Sequence, residues 1–260
     1  MSFIRKPAVA GMFYPANGKR LRAAVRDYLA AAEHAGGGVK AIIAPHAGYI
    51  YSGPVAGSAY AQLVDRADVT RVILLGPSHR VPVPSLAASS AAGFETPLGC
   101  VPVAGHADGA LRGFSWVVVH DEAHAGEHSL EVQLPFLQVI CREIEIVPLV
   151  FGDATMDEVA EVLEALWGGP ETLVVVSSDL SHYHDYETGR QLDARTAQAI
   201  ERLDGEARGP GSACGRLAIA ALLRVAQRKH LSAHTLDLRS SGDTAGPRDR
   251  VVGYGAFAFA

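Results

Sequence analysis

The sequence has little of what defines several large classes of protein. It contains three cysteines in 260 residues, an odd number without C-x-x-C spacing, which argues against a disulfide framework or an all-cysteine zinc site. Its uninterrupted apolar runs are short, such as residues 217–223, whereas a membrane helix needs about 18 apolar residues. Basic residues are not in excess, with 23 Lys and Arg against 28 Asp and Glu. We therefore expect small-molecule or protein partners, with neither nucleic acid nor a membrane.

The composition also excludes disorder and indicates a location. Hydrophobic residues make up 48% of the chain and charged residues 20%, which is enough to bury a proper core. At the N-terminus, Arg5 and Lys6 follow the first apolar pair, and Pro7 stands where a signal peptide would continue. Because this order does not match an export signal, we expect a cytoplasmic protein.

Short apolar runs alternate with helical patterns along the chain. Apolar residues at helical spacing over 18–35 predict a first helix, and the runs 39–44 and 71–75 predict two buried strands with a helix between them. Later segments continue the pattern. They are a strand at 145–150, a capping box and helix from Thr155, a strand at 173–176, helices at 188–203 and 212–227, and strands at 234–240 and 250–259. This order predicts a single domain over residues 1–260, a three-layer α/β/α sandwich with a mixed, largely parallel sheet.

Two segments interrupt this pattern. Residues 85–103 contain a turn signal at 96–99 and predict a hairpin-like insertion at the edge of the sheet or of the site. A helix is expected to begin near His128, and Pro135 within it should bend or restart it.

Polar side chains follow three of the predicted strands. His46 comes after the strand ending at residue 44, His79 after the strand ending at residue 75, and Asp179 with His182 after the strand ending at residue 176. In open α/β sheets, the carboxyl ends of the strands form the ligand crevice. We therefore expect these residues to meet in one pocket.

Cys214 is a further candidate for this pocket. It lies in residues 212–215, which open a predicted helix, and the positive end of a helix favours a thiolate. The alternative is a buried, inert thiol.

Residues 120–128 contain three histidines and three acids. His124 and His128 are four residues apart, but Gly126 weakens a helix between them and there is no H-E-x-x-H order. Spacing alone therefore favours a solvated polar loop over a lid or a metal-edge loop.

Eight segments, in order and over nearly the whole chain, resemble the motif series of the Memo family, whose bacterial and archaeal members are known as AmmeMemoRadiSam system protein B. The segments are 5–15, 44–49, 76–79, 127–135, 177–182, 214–216, 241–243 and 252–256. The resemblance implies a fold like that of class III extradiol dioxygenases, with a metal pocket at the strand ends. It also implies an AMMECR-like protein and a radical-SAM protein as partners.

The resemblance also implies roles for individual residues. His46, His79 and Cys214 match the metal-ligand positions. Asp179 and His182 match a second pair in the pocket, with His182 at the acid/base position of the dioxygenases. A further motif of the family matches Glu127 and His128, and the resemblance implies that they contact the substrate or support the ligands.

One departure affects the predicted chemistry. Ring-cleaving dioxygenases bind Fe(II) through two histidines and a carboxylate, whereas Cys214 stands at the carboxylate position here. A thiolate admits iron, which we expect, and also copper or zinc, and it can itself be oxidised.

Three functions fit this pocket. The first is a metal-dependent redox enzyme acting on oxygen or a small molecule. The alternatives are a non-enzymatic module that binds a peptide or protein, and a zinc- or cysteine-dependent hydrolase. A serine hydrolase with a G-x-S-x-G elbow is excluded because the sequence lacks that motif.

Overall fold

Strands and helices alternate along the protein in a computed structural model that describes residues 3–34, 36–104, 109–141, 143–205 and 213–260. The strands are β1 (Ile4–Arg5), β2 (Ala41–Ala44), β3 (Arg71–Pro77), β4 (Leu86–Ala88), β5 (Gly93–Thr96), β6 (Gly99–Pro102), β7 (Val117–Val119), β8 (Glu145–Phe151), β9 (Thr172–Ser177), β10 (His182–His184), β11 (Ala233–Ser240) and β12 (Val251–Phe259). The α-helices are α1 (Gly18–Ala30), α2 (Tyr49–Ala61), α3 (Asp121–Ala125), α4 (Leu134–Ile140), α5 (Met156–Leu166), α6 (Tyr186–Glu201) and α7 (Arg216–Arg228).

One large mixed sheet forms the middle of the protein. Its strands lie in the order β10-β12-β2-β9-β3-β8-β4-β7, and β11 pairs with β12. The neighbours from β2 through β9 and β3 to β8 are all parallel, whereas β12 pairs with β2, and β4 with β8, in antiparallel orientation. The mixed sheet is confirmed, and its parallel part is the central block of strands.

The two faces of the sheet are covered by different helices, because alternate residues of a strand point to opposite faces. Val72 and Leu74 of β3 pack in the core that includes α1, α2 and α4. Ile73 and Leu75 pack in the core that includes α5, α6 and α7. This confirms the predicted three-layer α/β/α sandwich.

The predicted elements agree with the structure except at their ends. The capping box at Thr155 begins α5, with both of its hydrogen bonds present. Pro135 restarts a helix, since a 3-10 turn at Glu131–Gln133 is followed by α4 with the proline in its first turn. The helix predicted over 212–227 begins at Arg216, and Ser212 lies outside the described residues.

The insertion predicted over 85–103 borders the sheet. β5 and β6 form an antiparallel hairpin, and β1 adds to it in parallel as a separate three-stranded sheet. β4 joins the edge of the large sheet next to β8. The hairpin prediction is confirmed, whereas β1, β7, α3 and β10 have no counterpart in the sequence pattern.

No helix within the described ranges is both long enough and apolar enough to cross a membrane.

Candidate metal centre

The site lies at the carboxyl ends of three neighbouring parallel strands. β2, β9 and β3 are adjacent, and their register places Ala44 beside Ser177 and Leu75 beside Val176. The loops that follow these strands contain His46, Asp179 and His79. The expectation that these distant segments meet at one sheet edge is confirmed.

Three imidazoles form a compact group at this edge. His46, His79 and His128 each offer a nitrogen, and these three atoms lie within 4.8 Å of one another. The ring centroids of His46 and His79 are 5.1 Å apart, and those of His79 and His128 are 4.7 Å apart. Such a group could hold a metal ion.

Hydrogen bonds fix the tautomer of the buried His46. Its Nδ1 is 2.9 Å from Ser177 Oγ, which donates its single proton to Ser129 O at 2.6 Å. Gln133 Nε2 donates both to Ser177 Oγ and to Pro45 O. Because the Ser177 proton is already used, His46 must donate from Nδ1. Its Nε2 is therefore unprotonated, which is the form that binds metals, and it lies 3.2 Å from Cys214 Sγ.

Glu127 fixes the tautomer of His79 in the same way. Its carboxylate accepts hydrogen bonds from the backbone N and Nδ1 of His79, at 2.6 Å and 3.0 Å, and from the backbone N of His128 and Ser129. Burial alone would raise the pKa of Glu127, but the hydrogen bonds, first that from the His79 side chain, lower it to about 2. An ionised carboxylate only accepts, so His79 Nδ1 donates to it, and Nε2 is the ring nitrogen left for a ligand of the site.

His128 completes the group. Its ring packs at 4.8 Å from the ring of Phe13, and its buried Nδ1 lies 3.2 Å from Glu127 Oε1 without the geometry of a hydrogen bond. Burial, followed by the charge of His46, lowers the pKa of His128 to about 4, and burial lowers that of His46 to about 3. Both imidazoles are therefore neutral near pH 7, as ligands must be.

The interpretation of residues 120–128 as a solvated loop is wrong for its central part. His124 and Glu127 are each only 2% exposed, and His128 belongs to the histidine group. The sequence had implied a supporting or substrate-contacting role for His128. The loop interpretation rested on Gly126 and on the many charged residues of this segment, and both were misleading. The informative signal was the Memo-like motif of residues 127–135.

Cys214 lies beside the histidine group without belonging to it. Its Sγ is 3.2 Å from His46 Nε2 and 3.7 Å from Asp179 O. Burial, and then the charge of Asp179, raises the pKa of the thiol to about 12. The helix start favours a thiolate less than the sequence suggests, because α7 begins only at Arg216, and desolvation favours the neutral thiol.

Asp179 adjoins the histidine group, and His182 is near enough to affect the charge of both His46 and Asp179. Asp179 Oδ1 accepts from the backbone N of His46 at 2.7 Å, and its Oδ2 is 4.0 Å from His46 Nε2. Burial raises the pKa of Asp179, and nearby His182 is among the groups that lower it. His182 is half-buried at the start of β10, where the pairing with β12 is irregular.

The donor set fits a transition metal. Two imidazoles present free Nε2 atoms, a third has a buried nitrogen without a hydrogen-bond partner, and a thiol and a carboxylate adjoin them. Imidazole ligands suit iron, copper and zinc, and a nearby sulfur tolerates the same metals. Fold and site together define an α/β sandwich protein with a histidine-rich candidate metal site at its strand ends.

Comparisons with known proteins identify the family. The family model described as Memo-like protein matches residues 5–258. MEMO1 family proteins of Archaeoglobus fulgidus, Aeropyrum pernix and Thermotoga maritima are 36%, 37% and 34% identical to the chain. The matches cover 98%, 97% and 96% of this chain and 99%, 98% and 97% of the relatives. The chain belongs to the Memo family.

Proposed function

We propose that this Memo protein is a metal-dependent redox enzyme that acts on oxygen or a small-molecule substrate. The observation that supports this most directly is the group of three imidazoles, His46, His79 and His128, at the ligand-binding edge of the sheet. Four protein ligands close a tetrahedral structural site, whereas a metal with more than four coordination positions, such as non-haem iron, keeps positions open for substrate.

We assign the metal ligands as His46, His79 and His128, with Cys214 as a further donor. Ligands of one metal ion stand about 3 to 4 Å apart, given metal–nitrogen and metal–sulfur bonds of about 2.0–2.3 Å. The 3.2 Å between Cys214 Sγ and His46 Nε2 agrees with that spacing. Binding of a cation would lower the pKa of the thiol and so offset the effect of burial. Iron is the expected metal, with copper or zinc as alternatives.

The remaining residues position ligands and move protons. Glu127 holds His79 and Ser177 holds His46, each in the tautomer with a free Nε2. His182 is assigned as the acid/base that transfers a proton to or from the substrate, and Asp179 as the residue that sets the orientation and charge of His182. The metal would supply Lewis acidity and one-electron redox chemistry.

The cysteine-dependent form of the hydrolase alternative is less well supported. A nucleophilic cysteine needs a lowered pKa, and the pKa of Cys214 is raised to about 12. The peptide-binding alternative predicts that binding does not depend on the metal ligands.

By the family resemblance, we propose an AMMECR-like protein and a radical-SAM protein as partners, in the cytoplasm.

The test is oxygen consumption by protein loaded with Fe(II) or copper under anaerobic conditions and then supplied with oxygen and a panel of reductants and phenols. We expect consumption that is lost in His46→Ala and reduced in His182→Asn, since the second variant keeps the metal ligands. Absence of consumption with every substrate would contradict the redox proposal. Partner capture that survives His46→Ala would then favour the binding module.

A further inference from the structure

The N-terminal motif, residues 5–14, has no part in the metal chemistry above, yet it contacts two of the loops that form the site. Its first residue, Arg5, is 3% exposed and lies against the segment that contains Glu127 and His128. Its other end contains Phe13, which lies between His128 and the start of α2. We call residues 5–14 the N-terminal clamp.

Arg5 holds the backbone on which Glu127 and His128 stand. Its Nε donates to His124 O at 3.0 Å, its Nη2 donates to Glu127 O at 2.6 Å, and its Nη1 pairs with Glu131. The guanidinium therefore contacts three points across residues 124–131. Its planar, rigid fork of donors suits this task, which a lysine cannot reproduce.

Glu131 fastens the rest of the clamp to the same segment. Its carboxylate is fully buried and accepts hydrogen bonds from the backbone N of Ala8 at 2.7 Å and of Val9 at 3.0 Å, and also from the Tyr14 hydroxyl. Together with Arg5, these donors compensate the buried charge. A buried ion pair contributes little net stability compared with apolar residues, so its main physical effect here is a fixed geometry.

The far end of the clamp reaches the His46 loop. Phe13 O accepts a hydrogen bond from Tyr49 N at 2.7 Å, three residues after His46. The Phe13 ring packs on His128 at 4.8 Å. The clamp thus joins the loop of one candidate ligand to the loop of another.

We propose that the N-terminal clamp sets the position of His128 and Glu127 relative to His46, with Arg5 and Glu131 as its positioning residues. The inference rests on the proposed metal site and extends it to residues that touch neither metal nor substrate. Changes at Arg5 should therefore alter metal affinity and the environment of His128 more than they alter the fold.

The test compares Arg5→Lys with Arg66→Lys. Arg66 is a matched control because its guanidinium also donates to two backbone carbonyls, Val39 O and Pro170 O, and pairs with a carboxylate, Asp68. It lies before the amino end of β3, at the opposite end of the sheet from the site. Urea unfolding at pH 7 measures the stability that each variant loses.

Titration of each protein with Co(II), followed by its visible absorption, measures the site. Arg5→Lys should raise the Co(II) dissociation constant about 10- to 100-fold, as loss of outer-shell support does. Arg66→Lys should stay within about two-fold of wild type, since it is distant from the site. In metal-free protein, the ¹⁵N imidazole signals of His128 should shift in Arg5→Lys and not in Arg66→Lys.

If Arg5→Lys does not fold, Tyr14→Phe provides the same test, since it removes only the hydroxyl bonded to Glu131. A folded variant with unchanged Co(II) affinity and unchanged His128 signals would overturn the clamp and leave the metal site intact. Failure of the wild-type protein to bind Co(II) would instead contradict the metal site, and the His128 signals would then decide on the clamp alone.

Discussion

Ser177→Ala tests the hydrogen-bond arrangement that prepares His46 for a metal. The Ser177 hydroxyl accepts from His46 Nδ1 and from Gln133 Nε2, both at 2.9 Å, and it is fully buried. Removing it leaves two buried donors without an acceptor. Each unsatisfied donor costs about 1–3 kcal/mol, so the free energy of unfolding should fall by about 2–6 kcal/mol.

The same substitution should weaken metal binding, because nothing then holds the proton on His46 Nδ1. Loss of such support typically costs about 10- to 100-fold in affinity, or about 1.4–2.7 kcal/mol. Metal titration measures the affinity, and ¹⁵N NMR of the imidazole reports which nitrogen is protonated. Ser58→Ala is the matched control, since this buried serine on α2 hydrogen-bonds Pro54 O and Asp237 instead of the site.

A folded Ser177→Ala protein that keeps both the Nδ1-protonated tautomer and wild-type affinity would refute this reasoning. A loss of stability without a change in affinity would show that Ser177 supports the core only.

Two further predictions concern stability away from the ligands. Burial lowers the pKa of His124 from 6.5 to about 4. The unfolded chain therefore binds the proton more readily than the folded protein does. The resulting contribution to the free energy of unfolding is complete above pH 6.5 and is lost as the pH falls to 4. His124→Gln keeps a donor for Ala87 O and should remove this dependence, so that wild type loses about 3 kcal/mol more than the variant between pH 7 and pH 4 in urea unfolding. Thr155→Ala removes the side-chain acceptor for Glu158 N at the start of α5 and should cost about 1 kcal/mol at any pH near neutrality. Parallel pH curves for His124→Gln and wild type, or an unchanged unfolding midpoint for Thr155→Ala, would contradict them.

The parallel core and two of the proposed ligands were predictable because their signals are local. β2 and β3 are buried runs that end at proline or glycine, and His46 and His79 follow within a few residues. In a parallel sheet, the end of each strand defines the same edge. Sequence order therefore translates directly into position there.

The rest depends on contacts between distant residues. β1 has two residues and β10 has three, too few to show a period. β9 lies between β2 and β3 in the sheet, although it begins about 100 residues after β3 ends. The segment that contains His128 is contacted by Arg5, which lies more than 120 residues away in the chain.

Cys214 shows how burial can reverse a local expectation. Proximity to a helix start favours a thiolate, but the buried setting and the neighbouring Asp179 raise the pKa of the thiol to about 12. Only the three-dimensional arrangement reveals the balance between these effects.

The most direct test of the proposed metal site is to measure metal content by mass spectrometry. The protein is purified without oxygen and without an affinity tag of histidines. We predict near-stoichiometric iron or copper in the wild-type protein. This metal should be lost in His46→Ala and His79→Ala and reduced in His128→Ala and Cys214→Ser. Ser58→Ala should keep its metal. Wild-type protein that contains no metal and takes up no added Fe(II), copper or zinc would contradict the proposed metal site.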